Sequence, residues 1–277
     1  MKVAQINNTD YRYKTSFKGI IRTVWRKTPS PNGVHLIDTI KHKNNSWMFR
    51  PNVRECIRQY NAFSKLFPGT EKVNVYDCAC SLGYGVYGFL LWLLSGHEKH
   101  PERFFPIIAK DYDEDIIKAA REGLLPLNED EIWNICDVVR KDDVIKKEDL
   151  DEFFHVDYNN SENMLIGTKC CGYMAKPTKI LTDKVQFSVA DIREDYVNIE
   201  PHRSLVWATN FWPYMEKEDR YKLAQNLYNQ FAKGSAIKIS DDFDNNRICL
   251  QDSKSTAELL LDTGFHPADG IKNIFVK

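Results

Sequence analysis

Twelve residues, Asp77-Cys-Ala-Cys-Ser-Leu-Gly-Tyr-Gly-Val-Tyr-Gly88, hold the densest set of groups able to do chemistry in this 277-residue chain. Small residues let a backbone approach a ligand closely, and a helix start offers free N–H groups. Gly83, Gly85 and Gly88 satisfy the spacing GxGxxG. That pattern needs an acidic side chain after the next strand, to accept from ribose hydroxyls. Asp111 stands there, in IIAKDYDED. The 28 residues from Gly83 to Asp111 exceed the ~20 usual for a dinucleotide site. The extra length falls in residues 96–103. Without a ligand, the same residues read as a tight turn followed by a helix-capping aspartate.

Other groupings lead nowhere. Cys78 and Cys80, with Cys170 and Cys171, match none of the usual zinc-ligand spacings. CxC in an apolar strand predicts two buried thiols on one sheet face. Asp242, Asp244 and Asn246 imitate the start of a calcium loop. Arg247 replaces its glycine and Ser253 its final glutamate, so no calcium or other metal site is expected. The seven histidines are scattered, with His97 and His100 in a surface loop. Trp207 reads as core. Trp212, two residues past Asn210, reads equally as core or as the lining of a pocket.

The elements that must position these groups alternate. Strands are expected at 72–80, 104–110, 184–190, 204–209 and 236–240, with an edge strand at 271–276. Helices are expected at 52–67, 86–95, 114–122, 218–233 and 256–261. Pro68-Gly69 ends the first, and Gly123, Gly234 and Gly264 close the last three. This rhythm predicts an α/β fold with a doubly wound sheet and helices on both faces. It breaks between Asn128 and Asp183, which reads as an inserted helical and hairpin subdomain.

Composition sets the class. With 43% hydrophobic and 28% charged residues, the chain is a globular protein, not a disordered one. No apolar run approaches the ~18 residues of a spanning helix. The absence of a signal-like leader and an odd count of seven cysteines predict a cytoplasmic protein with reduced thiols. The net charge of −1 hides an asymmetry: residues 1–60 hold 12 Lys/Arg against 3 Asp/Glu. Residues 1–45 read as a basic extension, with Tyr11, Tyr13, Phe17 and Trp25 among lysines and arginines and a short helix around Ile20–Trp25. A basic leader on an acidic body suggests an acidic partner, nucleic acid or an anionic surface; without one, it reads as a solvated segment.

Five segments, in order, resemble the motifs of the chemotaxis receptor (CheR-type) methyltransferases. CACSLG with GYGVYG is similar to that family's AxCSTGEEPYS. SWMFR (46–50) resembles its TxFFR, and IIAKDYDEDIIKAAREGLL (107–125) its ATDID segment. VQFSVADI (185–192) resembles VxFxxxNL, and VWATNFWPYM (206–215) resembles CRNVxIYF. The closing IFVK is similar to the family's last strand. The resemblance covers residues 46–277, with 128–183 poorly matched. It implies a Rossmann-like class I methyltransferase domain and S-adenosylmethionine (SAM) as cofactor.

The resemblance also implies roles. Gly83 would approach the methionine part of SAM, and Asp111 the ribose. Asp191 would accept from the adenine amino group. Asn210 would sit beside the transferred methyl. Cys80, Ser81, Gly85, Tyr112, Ile192 and Phe211 fall at the family's other cofactor-lining positions. Arg50 and Tyr214, with Asn210, fall at active-site positions. The family's glutamate facing the SAM ammonium is missing at Tyr84/Gly85, and Asp77 can substitute. The family's arginine in CRN is Thr209 here. The implied reaction is O-methylation of a carboxylate on an acidic protein. Two other readings stand beside it. Asn210-Phe-Trp-Pro-Tyr214 is similar to the (D/N)PPY motif of amino-group methyltransferases, one residue too long, with nucleic acid as one possible acceptor. The altered glycine turn also fits a SAM-binding or interaction module without turnover.

Overall fold

The computed structural model describes residues 48–49, 52–140, 147–157, 164–166, 169–193, 202–240 and 254–277. The basic extension, Arg50 and the stretch from Asp242 to Ser253 lie outside the described residues. Five parallel strands form the centre: β1 (Asn74–Cys78), β2 (Ile107–Asp111), β8 (Val185–Val189), β9 (Ser204–Trp207) and β10 (Ala236–Lys238). β12 (Ile274–Val276) runs antiparallel to β10, and the short β11 (His266–Pro267) closes the edge beside it. The order across the sheet is β11-β12-β10-β9-β1-β2-β8. Chain direction across the sheet reverses between β1 and β9, and such a switch point opens a crevice at the strand carboxyl ends.

Alternation along the strands splits the core in two. Val75, Ile107, Leu205 and Trp207 face one layer, with helices α1 (Val53–Leu66), α2 (Tyr84–Trp92) and α4 (Glu129–Val139). Tyr76, Val206, Ile237 and Phe275 face the other, with α7 (Lys217–Gln230) and α8 (Thr256–Thr263). Each helix end has a local cause. Asn52 caps α1 by accepting from the Glu55 N–H. Asp113 caps α3 (Glu114–Glu122), and Gly123 ends it in the left-handed region at φ 72°. A reciprocal Asn128–Glu131 box starts α4. Glu131 also accepts from the Met48 N–H at 2.8 Å, which ties the chain before α1 to the body.

Several boundaries differ from expectation. β1 stops at Cys78, because Ala79 turns to φ 95°. That turn also sends the two thiols to opposite layers: Cys78 joins the α7 side and Cys80 the α2 side. Alternation does not survive the end of a strand. β2 begins three residues late, since Pro101–Phe104 forms a 3-10 turn. α2 starts at Tyr84 and gives way after Trp92 to a π turn over Leu93–His97. α7 ends at Gln230, not near Gly234, because Phe231 leaves helical geometry to pack edge-on against Phe265.

Residues 128–183 contain α4, α5 (Lys147–Asp151), a β5 (Met164–Ile166)–β6 (Lys169–Cys171) hairpin and α6 (Lys179–Thr182). They also hold two strands of a small antiparallel sheet, β4 (Phe154–Asp157) and β7 (Tyr173–Pro177). Its third strand, β3 (Leu125–Leu127), precedes Asn128. Ile135, Val138 and Phe154 pack into the same core layer as α2. Among the described residues, no helix is long and apolar enough to cross a membrane.

Candidate functional site

The turn after β1 is fastened to β2. The N–H groups of Ala79 and Cys80 donate to the Lys110 carbonyl, at 2.8 and 2.9 Å. The Ser81 N–H donates to Asp111 Oδ2 at 2.8 Å, and the Asp113 N–H to Oδ1 at 3.0 Å. Asp111 is therefore a staple for the turn as well as a strand-end acceptor. Burial pushes its carboxyl up, against backbone N–H bonds that favour the charge. A carboxylate has about four lone-pair directions, so acceptor capacity remains for ribose hydroxyls.

The three glycines have three different reasons. Gly83 sits at φ 86°, and a Cβ there would lie 2.8 Å from the Phe187 ring. Its flank is filled by Phe187, so tight packing explains the residue without a ligand. Gly88 lets α1 approach α2; a Cβ would stand 3.1 Å from the Tyr60 hydroxyl. Gly85 is exposed, and a Cβ there would meet only Asp77 Oδ2, at 3.5 Å. Gly85 alone of the three opens the turn outward, and it opens it onto a carboxylate.

That carboxylate is anomalous. Asp77 is 6% exposed, and no described residue donates a hydrogen bond to it. Burial pushes its pKa up to about 7; the Lys238 ammonium opposes the rise and the Asp111 charge adds to it. Register explains the arrangement. Asp77 pairs with Trp207, and Trp207 with Lys238, so the three stand in one row on one face. The Lys238 ammonium lies 5.9 Å from the Trp207 ring centroid. Lys238 is a charged neighbour of the site that the sequence did not single out. Its signal was one cation interrupting the apolar run AIKIS.

Across the crevice, β9 is followed by Ala208 and Thr209. Asn210 then takes φ 64° and is exposed. Tyr214, half-buried, closes a 3-10 turn with its N–H on the Phe211 carbonyl. Phe211 and Trp212 stack at 5.2 Å and belong to the α7-side core. The Trp212 indole N–H donates to the Ala208 carbonyl at 2.7 Å. Trp212 is thus core and a staple of the turn, not a pocket wall. The Phe211 side chain likewise turns away from the crevice. The Cys80 side chain is also buried in the core, so only its backbone borders the turn.

Beyond β8, Asp191 is already engaged. Arg193 Nε donates to Oδ1 at 2.8 Å and Nη2 to Oδ2 at 2.5 Å. Arg193 also approaches Asp219, at 3.7 Å. Ile192 packs on the α7-side core. Tyr112 follows Asp111 at the strand end, half-buried. The structure thus gathers Asp77, Ser81, Gly85, Asp111 and Asn210 at the carboxyl ends of adjacent strands. Arg50 lies outside the described residues. Among the described residues, no three His, Cys, Asp or Glu side chains form a group able to hold a metal ion.

The strand order, with an antiparallel β12 between β10 and the edge, is that of the Rossmann-like class I methyltransferase sheet. No known family profile matches the sequence, and no curated protein matches it. Solved structures align with the chain at low identity. A TehB-like SAM-dependent methyltransferase from Corynebacterium glutamicum is 11% identical, over 80% of this chain and 87% of that one, with a TM-score of 0.38. Magnesium protoporphyrin IX methyltransferase from Synechocystis, solved with SAM, is 11% identical over 92% and 88%, with a TM-score of 0.41. The [4+2]-cyclase SpnF is 11% identical over 92% and 75%, with a TM-score of 0.42.

Proposed function

We propose that this protein is a SAM-dependent methyltransferase that methylates a carboxylate on an acidic protein partner, as CheR-type enzymes do. One observation carries the reading: a buried carboxylate with no described donor, Asp77, lies 3.5 Å from where a Cβ on the exposed Gly85 would stand, beside the Asp111 strand end. Such a group is costly unless a cation meets it. Lys238 offsets that cost in part, and Asp77 would hold the ammonium of a bound methionine moiety. Asp111 accepts from the ribose while holding the turn through Ser81.

When bound, SAM supplies a methyl group on a sulfonium, which passes to a carboxylate oxygen with no proton to move. The chain's own work is orientation. Asn210, exposed at the switch point, borders the reacting groups. Tyr214 orients the acceptor by its hydroxyl, and Arg50 clamps it. The ammonium of Lys238 keeps the crevice favourable to an anionic acceptor. An acceptor that is ionised at neutral pH needs no general base, and none of these residues is asked to be one.

The test is thermal unfolding with and without SAM, on wild type and Asp111→Ala. Ligand at 100 times Kd adds about 2.7 kcal/mol. For a chain of this size, the midpoint rises by roughly 5–10 °C. The rise should shrink in Asp111→Ala. No rise at millimolar SAM in wild type would overturn the reading.

A second reading has its own observation: Phe187 fills the flank of Gly83, where the resemblance put the methionine part. That favours an interaction module that keeps the fold without turnover. No midpoint rise with SAM in a chain that still binds an acidic protein partner would select it.

A further inference from the structure

α1 has two working faces. Its inner face, Cys56, Gln59, Tyr60 and Phe63, lies against the sheet beside the Asp77–Trp207–Lys238 row. The charge of Lys238 is felt at Glu55 and Cys56, in the first turn of the helix. Its outer flank, Arg54, Arg58, Asn61 and Lys65, repeats at i, i+4, i+7 and i+11, a single exposed stripe.

That stripe forms one wall of a groove of about 860 Å³. The other wall is β11, the loop Ala268–Ile271 and the end of β12. Ile57, Leu66 and Val276 line it with apolar surface. The groove runs the height of the sheet. Val276 pairs with Ala236 at the amino end of β10, and the Ala268 N–H bonds the Ile274 carbonyl, level with Lys238. Its upper end therefore opens beside the crevice, on the side away from Asp111.

Its charge is one-sided. Arg54, Arg58, Lys65 and Lys277 face a single lining carboxylate side chain, Asp269. Arg58 is paired with Glu55 at 2.6 Å, and the Lys277 ammonium donates to the Phe231 carbonyl. Arg54 and Lys65 have no ion-pair partner among the described residues. An apolar floor between unneutralised cations fits an extended acidic segment, with side chains on the floor and carboxylates on the rim.

We propose that this groove docks an acidic peptide segment of the methyl-accepting partner and delivers it toward the Asn210 and Lys238 rim. The proposal rests on the transferase reading for the identity of its occupant. The groove and its charges do not depend on that reading.

The test uses the full chain and a fluorescein-labelled, glutamate-rich 12-residue peptide, with a glutamine version as control, followed by anisotropy. The glutamate peptide should bind and the glutamine peptide should not. Arg54→Glu with Lys65→Glu should weaken binding by roughly tenfold or more. Lys118→Glu with Lys179→Glu, on the β2–β8 half, should leave it unchanged. If the first double variant does not fold, Arg54→Gln with Lys65→Gln replaces it, with a loss of about threefold. Equal binding of both peptides, equal losses in both double variants, or poly(U) displacing the peptide with the same sensitivity to Arg54 and Lys65 would overturn the proposal. No SAM is present, so peptide binding without SAM binding would count against the transferase reading alone. SAM binding without peptide binding would count against the groove alone.

Discussion

The turns that follow β1 and β9 face each other across one crevice, and both use backbone that L-residues rarely adopt. Ala79 and Ser81 take φ 95° and 51° in the first, and Asn210 takes 64° in the second. They are held in different ways. Both give a first N–H to the neighbouring strand, Ala79 to Lys110 and Ala208 to Lys238, but the first adds the Cys80 N–H on Lys110 and the Ser81 N–H on the Asp111 carboxylate. The second is pinned from below, by a buried indole on the Ala208 carbonyl. One turn is built from acceptors that a ligand can share, and the other from hydrophobic packing. That contrast suits a cofactor side that binds by polar groups and an acceptor side that must stay fixed while different atoms react.

The largest expected effect breaks the second turn. Trp212→Ala should lose about 3–5 kcal/mol in urea unfolding, as a fully buried aromatic does. Gly83→Ala comes next in the first turn. It forces a Cβ into Phe187 at φ 86° and should cost about 1–3 kcal/mol. Adding Phe187→Leu should recover part of the loss, because the ring is half of the conflict. Equal stability of Gly83→Ala and wild type would show that this turn yields more easily than its packing implies.

Asp77 gives a smaller, pH-dependent effect. Its folded pKa of about 7 lies above the unfolded value of about 3.9. Between those values the folded state binds more protons, so stability falls as pH rises through the window. Asp77→Asn removes that fall. Its unfolding midpoint should match wild type near pH 4 and stand above it at pH 8. The smallest effect on stability belongs to Asn210→Gly, within about 1 kcal/mol, since glycine accepts φ 64° freely. Methyl transfer should nonetheless drop, which would separate the role of Asn210 from its conformation.

The sequence made the first turn easier to read than the second, for physical reasons. Glycines and a strand-end aspartate announce themselves by type and spacing, and Asp111 stands where the pattern required. The periodicity that located the strands says nothing about what happens after a strand ends. That is why Cys78 and Cys80 part to opposite layers across Ala79. The same limit applies to Phe211 and Trp212, whose aromatic character fits a pocket and a core equally until packing decides. Row partners were invisible as well. Asp77, Trp207 and Lys238 meet only because three parallel strands share one register. Gly83 shows the reverse case, in which the residue type was read correctly and its reason was a neighbouring Phe187 ring.

The most direct measurement is SAM affinity from pH 5.5 to 7.5, by calorimetry, in wild type and Asp77→Asn. An α-amino group, with a pKa of about 7.7–8.0, stays largely protonated across that range. If Asp77 holds the ammonium, wild-type affinity should rise by roughly tenfold as the carboxyl ionises near pH 7. The variant should bind weakly and without that rise. A flat wild-type profile, or an Asp77→Asn variant that binds as well as wild type, would contradict the account.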